Sequence, residues 1–379
     1  MGKIELDHTG SGSGVTLSSD GTDLLLDGTA IGGGGGGADL YAANPSSATD
    51  PSATGANALA IGSGAIAQGS NDVVIGTDSD TGSLGDNVAI GNNARGENLR
   101  SLAIGYNARA SSRDAIAIGT DTHCYNNEAV ALGHDAKGEG TASVSLGKSL
   151  AAGTASLAAT ITNNTATYGA SGSYSVAIGR SNKATTTSAS VLGGYLGSST
   201  ATYSTTVGGR QNLADASYSV ASGYGADVNG IIGKVVHSPI IWISAGDTQS
   251  GKLVLTSATT NATATALTAD GGSASTTNQI VLPNNSAYAF HGTIVSRQQA
   301  SAGTASAAWK VEGLIRREGS AGTTVLVNSA TTVLDNTPSW GLALSADTTN
   351  GGLAITVTGA ASTNIRWVAT IHTSEVTYA

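Results

Sequence analysis

Apolar residues recur in this chain as pairs set two positions apart and closed by a glycine. The pairs Leu59/Ile61, Val73/Ile75, Val88/Ile90, Leu102/Ile104, Ile116/Ile118, Val130/Leu132 and Val144/Leu146 precede Gly62, Gly76, Gly91, Gly105, Gly119, Gly133 and Gly147. Val176/Ile178 precedes Gly179 after a longer gap, and closing glycines return at Gly193, Gly208 and Gly223. The period is ~14 residues, occasionally one more. Side chains two apart share one face of a strand, so each pair predicts a short strand whose intervening Ala, Val or Ser faces the other way. Fainter markers, such as Ala67 with Gly69 and Ala136 with Gly138, predict a second short strand and turn in each unit.

A fixed short period means stacked coils. One coil has too few apolar side chains to enclose a core, so its pair needs neighbouring coils and a cover across the axis, for which another copy of the chain is expected. About twelve coils stacked ~4.8 Å apart predict a rod. The interval from Gly147 to Gly179 exceeds two repeats by a few positions, which predicts a loop bulging from one coil within residues 158–172. Beyond Gly179 the pairs weaken to Ser190/Leu192, Thr205/Val207 and Val220/Ser222, while Tyr174, Tyr203 and Tyr218 each stand five positions before a glycine. A change of packing is expected there, with the tyrosines capping a loosening core; sugar binding is the other use of such a ladder.

After residue 233 the pattern becomes plain alternation, in residues 287–296, 309–318, 323–334, 352–359 and 364–376, with Gly, Asn and Asp turns between most of them. All four tryptophans (Trp242, Trp309, Trp340, Trp367) and the only phenylalanine, Phe290, lie in this part. An antiparallel β-sandwich of about 145 residues with its own core is expected.

Composition narrows the chemistry. With 53 glycines and 11% charged residues, the chain is not an ordinary helical enzyme. A net charge of −9 with 17 Lys and Arg supplies no cationic surface for nucleic acid. No apolar run reaches the ~18–20 residues of a membrane span, and the N-terminal stretch forms no signal peptide, so neither insertion nor export is expected. Cys124 has no partner for an intrachain disulfide and only His123 beside it, too few ligands for zinc. Gly147-Lys148-Ser149 resembles the end of a P-loop, but Ala142 stands where its first glycine belongs. Asp72, Asp86, Glu97, Asp114, Glu128 and Asp135 fall in the polar parts of the repeats and are read as solvated turns rather than as paired glycosidase carboxylates. No catalytic residue, metal or cofactor is expected.

The phrase "NVAIGNNARGENLRSLAIGYNARA", residues 87–110, resembles the head domain of trimeric autotransporter adhesins. Over residues 56–225 the resemblance implies a left-handed parallel β-roll in which three chains share one core built from the aliphatic pairs. Outside the roll the chain departs from that family, and neither its stalk nor its membrane anchor is expected. Residues 235–379, with "AGDTQSGKLVL", "LPNNSAYAF", "WKVEGLIRR" and "IRWVATIHTSEV", are similar to a C-terminal domain of bacteriophage and prophage fibre proteins; residues 1–31 resemble the opening of phage structural proteins.

The expected fold is all-β: a trimeric left-handed parallel β-roll of ~14-residue repeats succeeded by an antiparallel β-sandwich knob. The chain divides into four segments: residues 1–31 for virion docking, a Gly/Ser/Pro-rich linker at 32–55, the shaft at 56–233 and the knob at 234–379. The resemblances imply a homotrimeric, non-enzymatic virion fibre, attached to capsid or tail proteins at its N-terminus and touching a host-surface glycan or protein with its knob. Ile4, Leu6, Leu24 and Leu26 are the docking candidates. Arg316, Arg317 and Trp340, near predicted strand ends, are the receptor candidates, each with a structural alternative as solvated strand end or core residue. A head fibre and a polysaccharide-degrading tailspike are the competing functions.

Overall fold

The computed structural model describes residues 49–162, 167–298 and 305–378, together with the backbone of five strands that precede Thr49. The chain forms two compact units, Met1–Cys124 and Tyr125–Ala379. Among the described residues the structure is β throughout, apart from one 3₁₀ turn at Ala321–Thr323.

In the first unit, strands Ile4–Leu6, Val15–Ser19, Leu24–Leu26 and Thr29–Ala30 pair as an antiparallel meander. The docking candidates Ile4, Leu6, Leu24 and Leu26 fall on these strands, and their side chains lie outside the described residues. The stack of coils starts before the glycine refrain. Gly37–Leu40 pairs in parallel with Ala58–Ile61, and Ser52–Ala53 with Ile66–Ala67, so the segment read as linker already contributes rungs. Backbone pairing needs no aliphatic pair, which is why the refrain does not announce them.

From there the coils keep the predicted period. Ala58–Ile61, Val73–Ile75, Val88–Ile90, Leu102–Ile104 and Ile116–Ile118 form one parallel ladder in which like positions meet, Val88 beside Leu102 and Leu102 beside Ile116. Two-residue strands such as Arg95–Gly96 and Arg109–Ala110 form the second ladder. The residue between each aliphatic pair fills the coil interior: Ala60, Val74, Ala89, Ala103 and Ala117 have no exposed surface. The pair itself is half-buried. The closing glycines Gly62, Gly76, Gly91 and Gly105 hold φ between +119° and +137°, and a Cβ on Gly91 would lie 2.3 Å from the carbonyl oxygen of Gly105. Only glycine fits a corner that is left-handed and touched by the next coil.

The second unit repeats this plan with Val130–Leu132, Val144–Leu146, Leu157–Ala159 and Val176–Arg180. The extra residues before Gly179 sit between Leu157–Ala159 and Gly169–Ala170, where residues 163–166 lie outside the described residues. Val176–Arg180 is already longer than the three-residue rungs before it, and Ser190–Tyr195, Thr205–Arg210 and Val220–Tyr224 continue at five or six residues.

The passage from parallel to antiparallel pairing happens on one strand. Val235–Ser238 lies parallel to Val220–Tyr224 on one edge and antiparallel to Thr248–Thr259 on the other. The large sheet continues through Ile365–Thr377, Ser286–Gln298, Ser306–Arg317 and Val325–Asp335. A small sheet centred on Gly352–Thr358, with Gly341–Asp347, Ala264–Ala266 and Ile280–Val281, shares a core with it. That core is aromatic: Trp309 and Trp340 pack on Trp367 with ring centroids 5.8 and 5.7 Å away, and the Trp367 indole N–H donates to Thr259 Oγ1 at 3.0 Å. The knob is the predicted β-sandwich.

Candidate binding surfaces

The roll offers two kinds of surface. The first is the aliphatic face. Leu59, Ile61, Val73, Ile75, Val88, Ile90, Leu102, Ile104, Ile116 and Ile118 in the first unit all point away from their own coil interior and stay half-buried. In the second unit Val130, Val144, Leu146, Val176 and Ile178 do the same, with Leu132 more open. The predicted core residues are therefore not the core of a single chain. Alanine fills that interior because two backbone walls leave room for one small side chain.

The second surface is the corners. Asn57, Asn71 and Asp86 form one column of residues with positive φ, and Asn93, Asn107 and Asp121 another. Asn and Asp tolerate that conformation. Their side chains then bridge coil to coil: Asn71 Nδ2 donates to Asp86 Oδ1 at 3.0 Å, and Asn107 Nδ2 to Asp121 Oδ1 at 2.7 Å. Arg100 and Asp114 continue the first column as an ion pair at 2.6 Å. Asp72 is buried and accepts the backbone N–H groups of Gly69 and Asn87. Glu97 pairs with Arg109 at 2.8 Å and Asp135 with Lys148 at 3.3 Å. The acidic residues of the repeats thus serve turns and ladders.

Where the roll meets the knob, within the second unit, polar groups are buried and tied together. Glu375 Oε2 accepts from Lys234 Nζ at 2.9 Å and from Gln249 Nε2 at 2.8 Å, and its Oε1 from Thr373 at 2.6 Å. Gln249 also clamps Asp227, accepting its backbone N–H and donating to its carbonyl. Burial pushes the Asp227 carboxyl up to about 6, against the N–H of Asn229, which holds the charged form. Burial, then the charge of Glu375, raises the Tyr288 phenol well above its ordinary range.

Beside this junction lies an open apolar cleft of about 610 Å³, lined by Pro239, Ile240, Trp242, Ala289, Leu314 and Val376 among others. Trp242 is 68% exposed. Its loop is held by Asp247, whose carboxylate accepts the N–H groups of Trp242, Ile243 and Ser244; these bonds outweigh burial and keep the carboxyl below its usual range. The receptor candidates separate. Trp340 is 5% exposed and belongs to the core, because Asn336 folds its turn inward by accepting the Trp340 N–H at 2.9 Å. Arg317 is half-buried and donates to the carbonyl of Leu282 at 2.6 Å. Arg316 is exposed, faces Glu318 at 4.0 Å, and lines a shallow cleft of about 390 Å³. Trp242, absent from those candidates, is the most exposed tryptophan; its place between Pro239 and Asp247 in an irregular stretch was the available signal.

The YadA head domain repeat matches residues 53–79, 98–122 and 170–195. No curated protein matches the chain. Among solved structures, the collagen-binding domain of the Yersinia adhesin YadA is 17% identical, covering 48% of this chain and 78% of that one with a TM-score of 0.20. The tailspike protein gp49 of Acinetobacter baumannii bacteriophage Fri1, a capsular polysaccharide depolymerase, is 10% identical, covering 88% of this chain and 50% of that one with a TM-score of 0.22. Neither of these distant likenesses carries an activity to this chain. The matched stretches fall on the parallel ladders, so those coils are similar to YadA head repeats in an adhesin-like β-solenoid.

Proposed function

We propose that the chain is the subunit of a homotrimeric, non-enzymatic virion fibre, docked on the phage particle by its N-terminal segment and presenting its knob to a host-surface glycan or protein. The observation that carries the trimer is the aliphatic face: in both units a column of Val, Leu and Ile turns away from an alanine-filled interior. Covering such a face stabilises an assembly by roughly 25 cal/mol for each Å² removed from water. The adhesin-type repeats support attachment as the fibre's use. The resemblance of both ends to phage structural proteins supports the virion as its location, with the tail favoured over the head because a knob on a tail fibre is free to reach a cell. Three knobs on one shaft gain avidity without a tight single site.

Light scattering of the full-length protein is expected to give a mass near three times 37.1 kDa. A monomer overturns the fibre. Antibody to residues 234–379 is expected to label tail fibres on virions, and label on the capsid shell overturns the tail placement.

A further inference from the structure

The three long strands Ser190–Tyr195, Thr205–Arg210 and Val220–Tyr224 differ from the earlier ones in the residues around and after the closing glycine. "GGY", "GGR" and "SGY" take the place of a single glycine and a polar turn, and the period lengthens by one. The ladder registers the change: pairing shifts between Ile178 and Arg180 and again between Val207 and Arg210. Gly193, Gly194, Gly208 and Gly209 all have positive φ. Such bulges re-aim the side chains beyond them. Here they bring Arg180, Tyr195, Arg210 and Tyr224 into one column, each beside the next across the ladder.

The column alternates cation and ring. The Arg180 guanidinium lies 4.8 Å from the Tyr195 centroid, and the Arg210 guanidinium 5.7 Å from Tyr195 and 5.2 Å from Tyr224. Among the described residues neither arginine side chain forms an ion pair or a hydrogen bond. A guanidinium held against ring faces keeps its in-plane N–H fork open, the geometry that receives a carboxylate, sulfate or phosphate with two bonds. The surroundings favour the same sign. Between Glu139 and Asp227 the only acid is Asp215, against Lys148, Arg180, Lys183 and Arg210, in a chain whose net charge is −9. Asp215 is itself engaged, accepting the N–H of Gly230 at 2.9 Å.

The end of the column opens into a cleft of about 510 Å³ lined by Gly209, Arg210, Gly223, Tyr224, His237 and Pro239. We infer that this column binds a linear acidic polysaccharide, its acidic groups seated on Arg180 and Arg210 and a sugar ring resting in the cleft beside Tyr224. The arginines stand two coils apart, roughly 10 Å at ordinary strand spacing, which matches one acidic group per disaccharide in an extended chain. A nucleic acid strand, with a phosphate every ~3.4 Å, presents several charges for each arginine, and the column lacks the cations to answer them.

This assignment rests on the adhesive reading for its biological use, and its test is separate. Full-length protein is titrated with hyaluronan, polygalacturonate and chondroitin sulfate oligosaccharides, with carboxyl-reduced hyaluronan, with free glucuronate and with poly-glutamate. Binding of at least one acidic oligosaccharide, weakened by salt and absent for the reduced chain, is expected. The double variant Arg180→Gln, Arg210→Gln, at unchanged mass by light scattering, is expected to lose at least roughly tenfold in affinity. Tyr224→Ala is expected to lose less, with the salt dependence kept. The inference is overturned if no acidic oligosaccharide binds, if the double variant binds as well as the parent, if glucuronate alone binds as tightly as the chain, or if poly-glutamate binds equally well. Host-cell adsorption is scored in parallel. Cells bound without any acidic saccharide bound overturn this site alone, whereas absence of cell binding overturns the adhesive reading and leaves the titration to decide the site.

Discussion

In the coils the inward residue is alanine or another small side chain, and the larger aliphatics face out; in the knob Trp309, Trp367, Tyr288 and Phe290 face in and the outer surface is mixed. A buried aromatic contributes far more apolar area than a buried methyl, so the sandwich carries its own hydrophobic core. The coils hold themselves by backbone ladders and by Asn and Asp columns at their corners, and turn their aliphatic face outward. The two regions thus place their apolar area on opposite sides of the backbone, and the size of the inward residue tells which arrangement a stretch adopts.

The contrast can be broken first at the aliphatic face. Ile104→Asp with Ile118→Asp is expected to abolish the assembly, reducing the mass from near three times 37.1 kDa to that of one chain, because charges then stand on the face to be covered. Retention of the full mass would show that this face is not the interface. Trp309→Ala attacks the other region: it is expected to cost about 3–5 kcal/mol of knob stability in denaturant unfolding, as large core truncations do, while the mass of the folded protein stays unchanged. The smallest effect sits between the regions. With its pKa raised from 3.8 to about 6, Asp227 keeps a proton in the folded state, between those two pH values, that the unfolded chain has released. The stability this gives is full below the lower value and is lost as pH rises through the upper one. Asp227→Asn is expected to flatten that slope and to raise stability above it on the order of 2 kcal/mol, read from denaturation midpoints across pH. An unchanged slope would place the titration elsewhere.

Much of this was legible in the residues. The refrain located nearly every long rung of the solenoid, and alternation located five strands of the sandwich, because both signals are local and periodic. The strand Thr248–Thr259 was not separated from its surroundings, since its polar half, "TQSGK", carries no aliphatic pattern. The parity of the refrain placed Leu102 and Ile104 on one face and Ala103 on the other, but which face lies inside a coil depends on how tightly the corners fold. The Arg180–Tyr224 column and the Lys234–Glu375 pair bring together residues far apart in the chain, and only the register of the ladders decides that they meet. Trp340 was ambiguous for a similar reason: a tryptophan next to a turn reads alike whether the turn folds inward or out.

A stack of parallel coils ends in a row of free N–H and C=O groups, a template onto which another chain can add, as in amyloid growth. Val235–Ser238 takes the last long rung on one edge and gives its other edge to the antiparallel sheet. The solenoid is thereby stoppered on that ladder, and the same strand that joins shaft to knob guards against end-to-end polymerisation at high concentration.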